Sequence, residues 1–288
     1  MKQKSELELS LYSRFRPSPF GDRCFHWVET GKGPETVIFL HGIMAHSMAF
    51  RFVLKGLGPG FRILAPDLPA HGRDETFRDE AISADLSGLL TWLEGLLDTL
   101  DGAPVHIVGH SLGATLTYLA ALSRSRFPQI QTLTLVSPGL KIRVPSWTSA
   151  LLSRFPPEWA RLGIHRRGIR LYEPLQWRRA RMSAAEVRDY LTPIQDPLRM
   201  AYMLRLGAEL VAREHSIEDA RSIENPTLLI WGDRDLLLPL PTAYELSRQI
   251  PDSQLEIFTD CGHCPMEDYP EKFSREIQDF LLRKNKGS

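Results

Sequence analysis

The stretch VHIVGHSLGATLTYLAAL, residues 105–122, decides the fold, because a strand pattern changes to a helix pattern at a single serine. Its first five residues form a short apolar run rich in β-branched residues, which predicts a buried strand. The residues after Ser111 predict a helix, and Gly109, Ser111 and Gly113 form a G-x-S-x-G motif at the junction. This motif is typical of a sharp turn that exposes the serine hydroxyl while its glycines allow close backbone approach. Ser111 is therefore predicted to be a nucleophile; the alternative is a serine that only caps the helix.

Five further runs of the same kind are spread along the chain, at residues 36–40, 61–65, 132–136, 227–231 and 254–258. Near-continuous apolar strands separated by helical patterns indicate a mostly parallel sheet with helices on both faces. Between Ile82 and Leu100, leucines recur at steps of three and four residues, which is typical of the buried stripe of an amphipathic helix. The predicted fold class is α/β.

The alternation is interrupted in the middle of the chain. From about residue 140 to residue 222 no strand pattern appears, and the segments SAAEVRDYL and PLRMAYMLRLGAELVARE predict helices. A helical excursion between two strands of a sheet is interpreted as a cap. We therefore predict a core whose N-terminal part is residues 1–138, a helical cap or lid at 139–222, and the C-terminal part of the core at 223–288.

Composition places the chain among ordinary soluble globular proteins, with 43% hydrophobic and 24% charged residues. Lys+Arg and Asp+Glu both number 35, so nothing global favours nucleic acid or an anionic membrane as a partner. Three cysteines, the lack of a signal-peptide pattern and the lack of an apolar run approaching ~18 residues lead us to expect a cytoplasmic protein without stable membrane insertion. The expected partner is a small-molecule acyl substrate; the oligomeric state is not predicted.

The predicted cap is basic. Residues 139–222 contain fifteen Lys+Arg against nine Asp+Glu, and RLGIHRRGIRLYEPLQWRRAR alone contains seven arginines. One interpretation is a solvated helical face or contacts with the acidic remainder of the chain. The other is electrostatic attraction of an acidic substrate, received for instance by Arg166 and Arg167.

A base and an acid follow the serine in chain order. Asp233 and Asp235 come directly after the strand at 227–231, and His263 lies on the loop that leaves the strand at 254–258. The carboxyl ends of parallel strands meet at one edge of the sheet, where ligands and catalytic groups gather. Asp235 is preferred as the acid, with Asp233 as the alternative, since aspartate is also a frequent turn residue.

The tetrapeptide CGHC, residues 261–264, has the spacing of a redox dithiol. Only 24 residues follow Cys264, too few to complete a thioredoxin-like domain, and a second pair of zinc ligands is missing. The tetrapeptide is therefore interpreted as the loop of a catalytic histidine. A Cys261–Cys264 bond that clamps this loop under oxidation stays as an alternative.

An oxyanion site needs two backbone N–H groups. One is expected from Leu112, the residue after the nucleophile, and the other from FLHGIMAHS, residues 39–47, through Ile43 or Met44. His41 in the same segment is expected to brace the loop by hydrogen bonding rather than to act as the base.

These segments together resemble the α/β-hydrolase superfamily, in its capped, serine esterase and lipase-like branch. The resemblance rests on FLHGIMAHS, APDLPAHGRD, VGHSLGA, LLIWGDRDLLLP and CGHCPMEDYP, in this order between residues 39 and 270. It implies a helical cap inserted after the sixth strand, a triad of Ser111, Asp235 and His263, oxyanion donors at Ile43 and Leu112, and no metal or organic cofactor. Asp74 departs from the pattern, because a serine is usual there.

The resemblance implies hydrolysis of a carboxylic ester through an acyl-enzyme on Ser111. GHSLGA is more similar to esterases and lipases than to carbon–carbon bond hydrolases, in which methionine commonly follows the serine. A thioesterase or a carbon–carbon bond hydrolase with the same triad is the alternative, and a non-catalytic binding protein on this fold is a further one. Aromatic and Met residues at helical spacing are more often simple core, but the substrate pocket is expected to involve some of the following residues: Met44, Trp147, Trp159, Trp177, Met200, Tyr202 and Met203.

Overall fold

The computed structural model describes residues 12–54, 56–57, 60–142, 176–180, 182–212 and 216–285. Its centre is an eight-stranded sheet in the order β1-β2-β4-β3-β5-β6-β7-β8. The strands are β1 (Ser13–Pro17), β2 (Cys24–Thr30), β3 (Glu35–Leu40), β4 (Phe61–Pro66), β5 (Val105–His110), β6 (Ile130–Val136), β7 (Thr227–Gly232) and β8 (Ser253–Phe258). From β4 to β8 every pair is parallel, whereas β1 pairs with β2 and β2 with β4 in antiparallel fashion.

Seven α-helices accompany the strands in the described part of the chain. They are α1 (Leu86–Asp98), α2 (Leu112–Leu122), α3 (Ala184–Ile194), α4 (Pro197–Ala212), α5 (Pro241–Gln249), α6 (Pro265–Asp268) and α7 (Pro270–Asn285). Short 3₁₀ turns lie at Ser47–Phe50, Thr76–Arg78 and Glu218–Ser222. None of the helices among these residues is of a length and apolarity that would let it cross a bilayer.

Both faces of the sheet are covered. Alternate residues of β3 enter different apolar clusters: Ile38 and Leu40 pack on the face that carries α1 and α2, and Val37 and Phe39 pack on the face that carries α7. This alternation is what a strand buried on two sides requires. The predicted mostly parallel sheet with helices on both faces is confirmed.

The six strands predicted from apolar runs are all present, whereas β1 and β2 were not anticipated. β1 reads SRFRP and is largely exposed, and β2 reads CFHWVET, so neither forms a continuous apolar run. β1 lies at the sheet edge and is largely exposed, so its sequence signal is weak, whereas β2 is paired on both sides but carries the polar His26 within its buried run.

The helix predicted between Ile82 and Leu100 begins later than its apolar stripe. Ile82 is buried but precedes the helix, because the Asp85 side chain accepts the N–H of Gly88 at 2.8 Å and caps the first turn. A side-chain acceptor at this position satisfies one of the free N–H groups of a helix start. Ile82 therefore packs in the main apolar cluster although it lies before the start of the helix.

The cap helices α3 and α4 lie between β6 and β7, so the predicted helical insertion after the sixth strand is confirmed. Its boundaries at 139 and 222 stay predictions. Helix α4 contacts the core directly: the Tyr202 hydroxyl donates to the Ser83 carbonyl at 2.8 Å, and the Glu209 carboxylate accepts the N–H of Leu86 at 2.7 Å. Arg199 adds hydrogen bonds to the loop after β4.

Candidate active site

Ser111 occupies the turn between β5 and α2 in a strained conformation. Its backbone has φ 52° and ψ −112°, a region that non-glycine residues rarely adopt and that costs about 1–3 kcal/mol. Its side chain makes no capping hydrogen bond to α2, although the residue stands at the N-cap position. The hydroxyl therefore remains available for chemistry, as expected of a nucleophile turn rather than a simple cap.

Close backbone packing explains the two glycines of the motif. A Cβ on Gly113 would lie 2.2 Å from the carbonyl oxygen of Leu40, and a Cβ on Gly109 would lie 2.4 Å from the carbonyl oxygen of Gly113. No side chain larger than hydrogen fits at such distances. The turn is thereby pressed against the end of β3, where the Gly113 N–H donates to the His41 carbonyl at 3.1 Å.

His263 and Asp235 meet at the same edge of the sheet. His263 Nδ1 donates to Asp235 Oδ2 at 2.8 Å, and both side chains are almost fully buried. This bond leaves His263 Nε2 as the nitrogen that can accept a proton. Asp235 Oδ1 in turn accepts the N–H groups of Leu237 and Leu238, each at 2.9 Å.

The environment keeps Asp235 ionised. Burial alone would raise the pKa of this carboxyl, but the His263 ring and the N–H groups of Leu238 and Leu237 hold the pKa below its ordinary value. Asp233 has a different partner, because its Oδ1 accepts the N–H of Cys261 at 3.3 Å. The structure thus places Asp235, and not Asp233, against His263.

His110 connects the nucleophile turn with the histidine loop. Its Nε2 donates to the carbonyl of His263 at 2.9 Å, and the centroids of the two rings lie 4.7 Å apart. Because His110 immediately precedes Ser111, this contact brings the His263 loop to the turn. Burial, together with the neighbouring His263, lowers the pKa of His110 to about 3, so the ring stays neutral.

The loop after β3 is held by two further neutral histidines. His41 Nδ1 donates to the Gly42 carbonyl at 2.8 Å and its Nε2 accepts the N–H of Leu68 at 2.9 Å, which is the bracing arrangement anticipated for it. His71 Nε2 accepts the N–H of Met44 at 3.1 Å. Burial lowers the pKa of His41 to about 3 and that of His71 to about 4.

The hydrogen bond from the Met44 N–H to His71 distinguishes the two candidate oxyanion donors in the loop, Ile43 and Met44. The Met44 N–H already has His71 as acceptor, and Met44 has a φ of 58°, whereas the Ile43 N–H has no acceptor in the described part of the chain. The Leu112 N–H, in the first turn of α2, is similarly available. Ile43 and Leu112 therefore remain the two groups suited to an oxyanion.

Sequence reasoning did not assign roles to His71 and His110. The only local signal was that His71 lies in a resembling segment and that His110 lies inside the G-x-S-x-G motif. Their partners, Met44 and His263, are distant in sequence. Such contacts become visible only when the chain is folded.

The described residues that are predicted to contact the substrate lie in different apolar clusters of the structure. Met44 packs near Met200 and Met203 in a small apolar cluster with the cap. Trp177 is buried among core residues that include Cys264, and its indole N–H donates to Glu267. Tyr202 belongs to the main core cluster. Substrate contact by these residues stays a prediction, and Trp147, Trp159, Arg166 and Arg167 lie outside the described residues.

The two cysteines of CGHC are free thiols with separate hydrogen bonds. Cys264 Sγ donates to the Gln176 side-chain oxygen at 3.2 Å, and Cys261 Sγ lies 3.6 Å from the Gly262 carbonyl. Burial raises the pKa of both thiols, and neighbouring carboxylates act in the same direction. Protonated, buried thiols are poor nucleophiles, which disfavours thiol chemistry here.

Known proteins resemble this chain over almost its whole length. The 2-hydroxy-6-oxononadienedioate/2-hydroxy-6-oxononatrienedioate hydrolase 2 of Pseudomonas putida is 28% identical over 296 residues, which cover 96% of this chain and 98% of the relative. The hydrolase of the same name from Cupriavidus pinatubonensis (strain JMP 134 / LMG 1197) is 29% identical over 294 residues, which cover 93% of this chain and 95% of the relative.

Solved structures show the same fold. A serine hydrolase involved in carbazole degradation has a TM-score of 0.76 at 24% identity and covers 94% of this chain and 99% of its own. The carboxylesterase CesB of Bacillus subtilis has a TM-score of 0.69 at 18% identity and covers 97% of this chain and 96% of its own. At these identities the likeness concerns the fold alone.

The model of the family described as "Alpha/beta hydrolase family" matches residues 37–276. The match runs from β3 into α7 and includes the nucleophile turn and the histidine loop. With this match, the chain belongs to the alpha/beta hydrolase family.

Proposed function

We propose that this protein is a serine hydrolase that cleaves a carbon–carbon bond next to a ketone, in an acidic substrate of the 2-hydroxy-6-oxo-dienoate type. The observation that carries the proposal is the whole-length similarity to two hydrolases named for such dioates. This similarity favours the carbon–carbon alternative over the ester hydrolysis that the motifs suggested first. The hydrogen-bonded pair of His263 and Asp235 and the strained Ser111 turn supply the chemistry.

In the proposed reaction His263 Nε2 takes the proton of Ser111 while Oγ attacks the ketone carbon. The carbonyl oxygen becomes an oxyanion, which the N–H groups of Ile43 and Leu112 stabilise. Asp235 stabilises the imidazolium that forms. The carbon–carbon bond then breaks, the leaving carbon takes the proton, and water releases the acyl group from Ser111.

Cleavage of a carbon–carbon bond requires a substrate that can stabilise the negative charge on the leaving carbon. The electrons of the breaking bond must be delocalised, and a 2-hydroxydienoate provides this once its enol has become the 2-oxo form, because the leaving carbon is then conjugated with the 2-oxo group. An ester needs no such step. Ester hydrolysis by the same groups is therefore the second candidate, favoured by the sequence GHSLGA around Ser111 and by the similarity in fold to the carboxylesterase CesB.

The test compares the two substrate classes directly. Purified protein is assayed with a 2-hydroxy-6-oxo-dienedioate, by loss of its absorbance, and with nitrophenyl esters of short and medium acyl chains. We expect kcat/KM for the dioate to exceed that for every ester by about 100-fold or more, and Ser111→Ala to abolish both activities. A preference for the esters would replace the proposal by the second candidate, and unchanged turnover by Ser111→Ala would remove both.

In this proposal, arginines of the basic cap bind the carboxylates of the acidic substrate. Arg166 and Arg167 lie in its most arginine-rich segment, and a charged hydrogen bond contributes about 1.5–3 kcal/mol. Replacing both by alanine should raise KM for the dioate by roughly 10-fold or more while leaving KM for a neutral ester unchanged. Arg221→Ala, an exposed arginine bonded to Gln249, is the matched control. Equal effects on both substrates would refute selection by charge.

A further inference from the structure

A second array of serine, histidine and aspartate lies on the antiparallel side of the sheet. Ser13 is on β1, His26 is on the paired strand β2, where it stands opposite Phe15, and Asp67 follows β4. Ser13 Oγ donates to His26 Nε2 at 2.6 Å, and His26 Nδ1 donates to Asp67 Oδ2 at 2.6 Å. The order of atoms is that of a serine, a base and the acid that orients it.

The aspartate of this array is fixed and charged. Asp67 Oδ1 accepts the N–H of Ser47 at 2.7 Å, and Oδ2 also accepts the N–H of Arg73 at 2.8 Å. Burial alone would raise the pKa of Asp67, yet the bonded His26 ring keeps the pKa well below its ordinary value. The carboxylate can therefore hold the imidazole in one tautomer, with Nε2 as the proton acceptor.

Ser13 is accessible to a small molecule. It is half-buried and opens into a cavity of about 240 Å³ that His26 and Asp67 also line. Helix α3 of the cap supplies Asp189, Thr192 and Pro193 to the same cavity. Neither Ser111 nor His263 lines it, so the cavity is separate from the candidate active site.

Two side chains that can donate hydrogen bonds, Arg73 and His46, line the cavity. Arg73 Nη1 lies 3.5 Å from Ser13 Oγ. His46, which is 7% exposed, accepts the N–H of Met48 on Nδ1 at 3.3 Å, so its hydrogen is on Nε2. That Nε2 has no hydrogen-bond partner among the described residues. A buried, unpaired donor is costly and is often explained by a ligand.

We propose that Ser13 is a second nucleophile, which accepts an acyl group from small activated esters, with His26 as its base and Asp67 as the positioning group. Ser13 Oγ forms a bond to the acyl carbon, and its proton passes to His26 Nε2. Arg73, whose guanidinium lies beside Ser13 Oγ, stabilises the oxyanion. The bond to the leaving oxygen breaks, and that oxygen takes the proton, so an ester on Ser13 and a free alcohol result. This activity is independent of the reaction proposed for Ser111.

The experiment uses the full-length Ser111→Ala variant, in which the first nucleophile is removed. The protein is treated with nitrophenyl acetate and, separately, with a small alkyl fluorophosphonate, and each modified serine is identified by peptide mass spectrometry. We expect Ser13 to be modified at least 10-fold faster than Ser87. Ser87 is the internal control because it is an exposed serine bonded to Asp85 instead of a histidine.

Second changes in the Ser111→Ala background test the array. Ser13→Ala should abolish the modification, and His26→Gln should slow it about 100-fold, a typical effect of losing a general base. Ser87→Ala should leave it unchanged. Modification of Ser13 no faster than that of Ser87 with both reagents would overturn the proposal, and so would modification that persists at full rate in His26→Gln. A thermal melt of each variant confirms that it is folded.

Discussion

Asp233 and Asp235 leave the same strand end, and their carboxylates have different partners. Asp235 bonds the His263 ring, whereas Asp233 bonds the N–H of Cys261 and so supports the loop that carries His263. One residue would act on the base directly, and the other through the backbone. Both changes should affect the reaction, but to different degrees.

We predict that Asp235→Asn lowers kcat by about 10⁴-fold, because an amide can neither fix the imidazole tautomer nor stabilise its charge. Asp233→Asn should lower kcat by no more than about 10-fold, since an amide oxygen still accepts the N–H of Cys261. Steady-state kinetics on the preferred substrate of the wild type measures both. The reverse ranking would assign the acid role to Asp233.

The thiols of the CGHC loop give a second prediction for single residues. Cys261 and Cys264 are buried and have raised pKa values, whereas Cys24 is partly exposed. Iodoacetamide at pH 8 should therefore modify Cys24 first in the folded protein, and turnover should be the same with and without reductant. Rapid modification of Cys264, or activity that depends on reductant, would instead support a Cys261–Cys264 disulfide bond that constrains this loop under oxidation.

Helix α4 connects the cap to the loop after β3. Near its start, Arg199 is buried, bonds the Glu75 carboxylate and lies 3.4 Å from the carbonyl oxygens of His71 and Gly72. His71 in turn holds the N–H of Met44 in the oxyanion loop. The cap and the loop after β3 are thus connected through two hydrogen-bonded residues.

Arg199→Ala should therefore affect both stability and turnover. Loss of a buried guanidinium from three acceptors is expected to cost about 2 kcal/mol, which corresponds to a melting temperature lower by roughly 3 °C in a chain of this size. We also expect a several-fold lower kcat, because His71 loses one of its supports. Arg205→Ala, an exposed position on the same helix, is the control and should change neither quantity. An Arg199→Ala variant with the wild-type melting temperature would contradict this account of α4.

The whole molecule encloses several histidines that are neutral in the folded state. Folding lowers the pKa of His41 and His110 to about 3 and that of His71 to about 4, from an ordinary value of 6.5. Between those values the unfolded chain binds protons that the folded chain does not, so stability falls as pH falls. Asp74 acts in the opposite direction, because burial raises its pKa to about 8 and stability from this group falls as pH rises from 3.8 to about 8.

We predict that the free energy of unfolding, measured with urea, decreases steadily from pH 6.5 to pH 4, since three histidines outweigh one aspartic acid. His110→Gln keeps a donor near the His263 carbonyl but does not titrate. Its unfolding free energy should therefore change less steeply with pH over this range, by up to about 1.4 kcal/mol per pH unit. A wild-type stability that is flat or rises toward pH 4 would contradict the neutral state of these rings.

The positions of six strands, the serine turn and the chain order of serine, aspartate and histidine were predictable from sequence because each depends on local pattern. Apolar runs indicate buried strands, and the glycines around Ser111 indicate that the backbone there packs closely against neighbouring segments. The antiparallel strands β1 and β2 lacked such a pattern. The motifs do not distinguish an ester from a ketone as the substrate, because both need the same nucleophile, base and oxyanion donors.

The sequence by itself determined the fold class, the position of the nucleophile turn and the presence of a helical insertion, since these follow from periodicity and steric limits along the chain. Only the tertiary structure decided which carboxylate lies against His263, which loop N–H is already bonded to His71, and that Ser13 and Asp67 meet through His26. These facts depend on pairing and register between distant segments. A shift of one residue in β1 or β2 would turn Ser13 or His26 to the other face of the sheet, and no local pattern fixes that register.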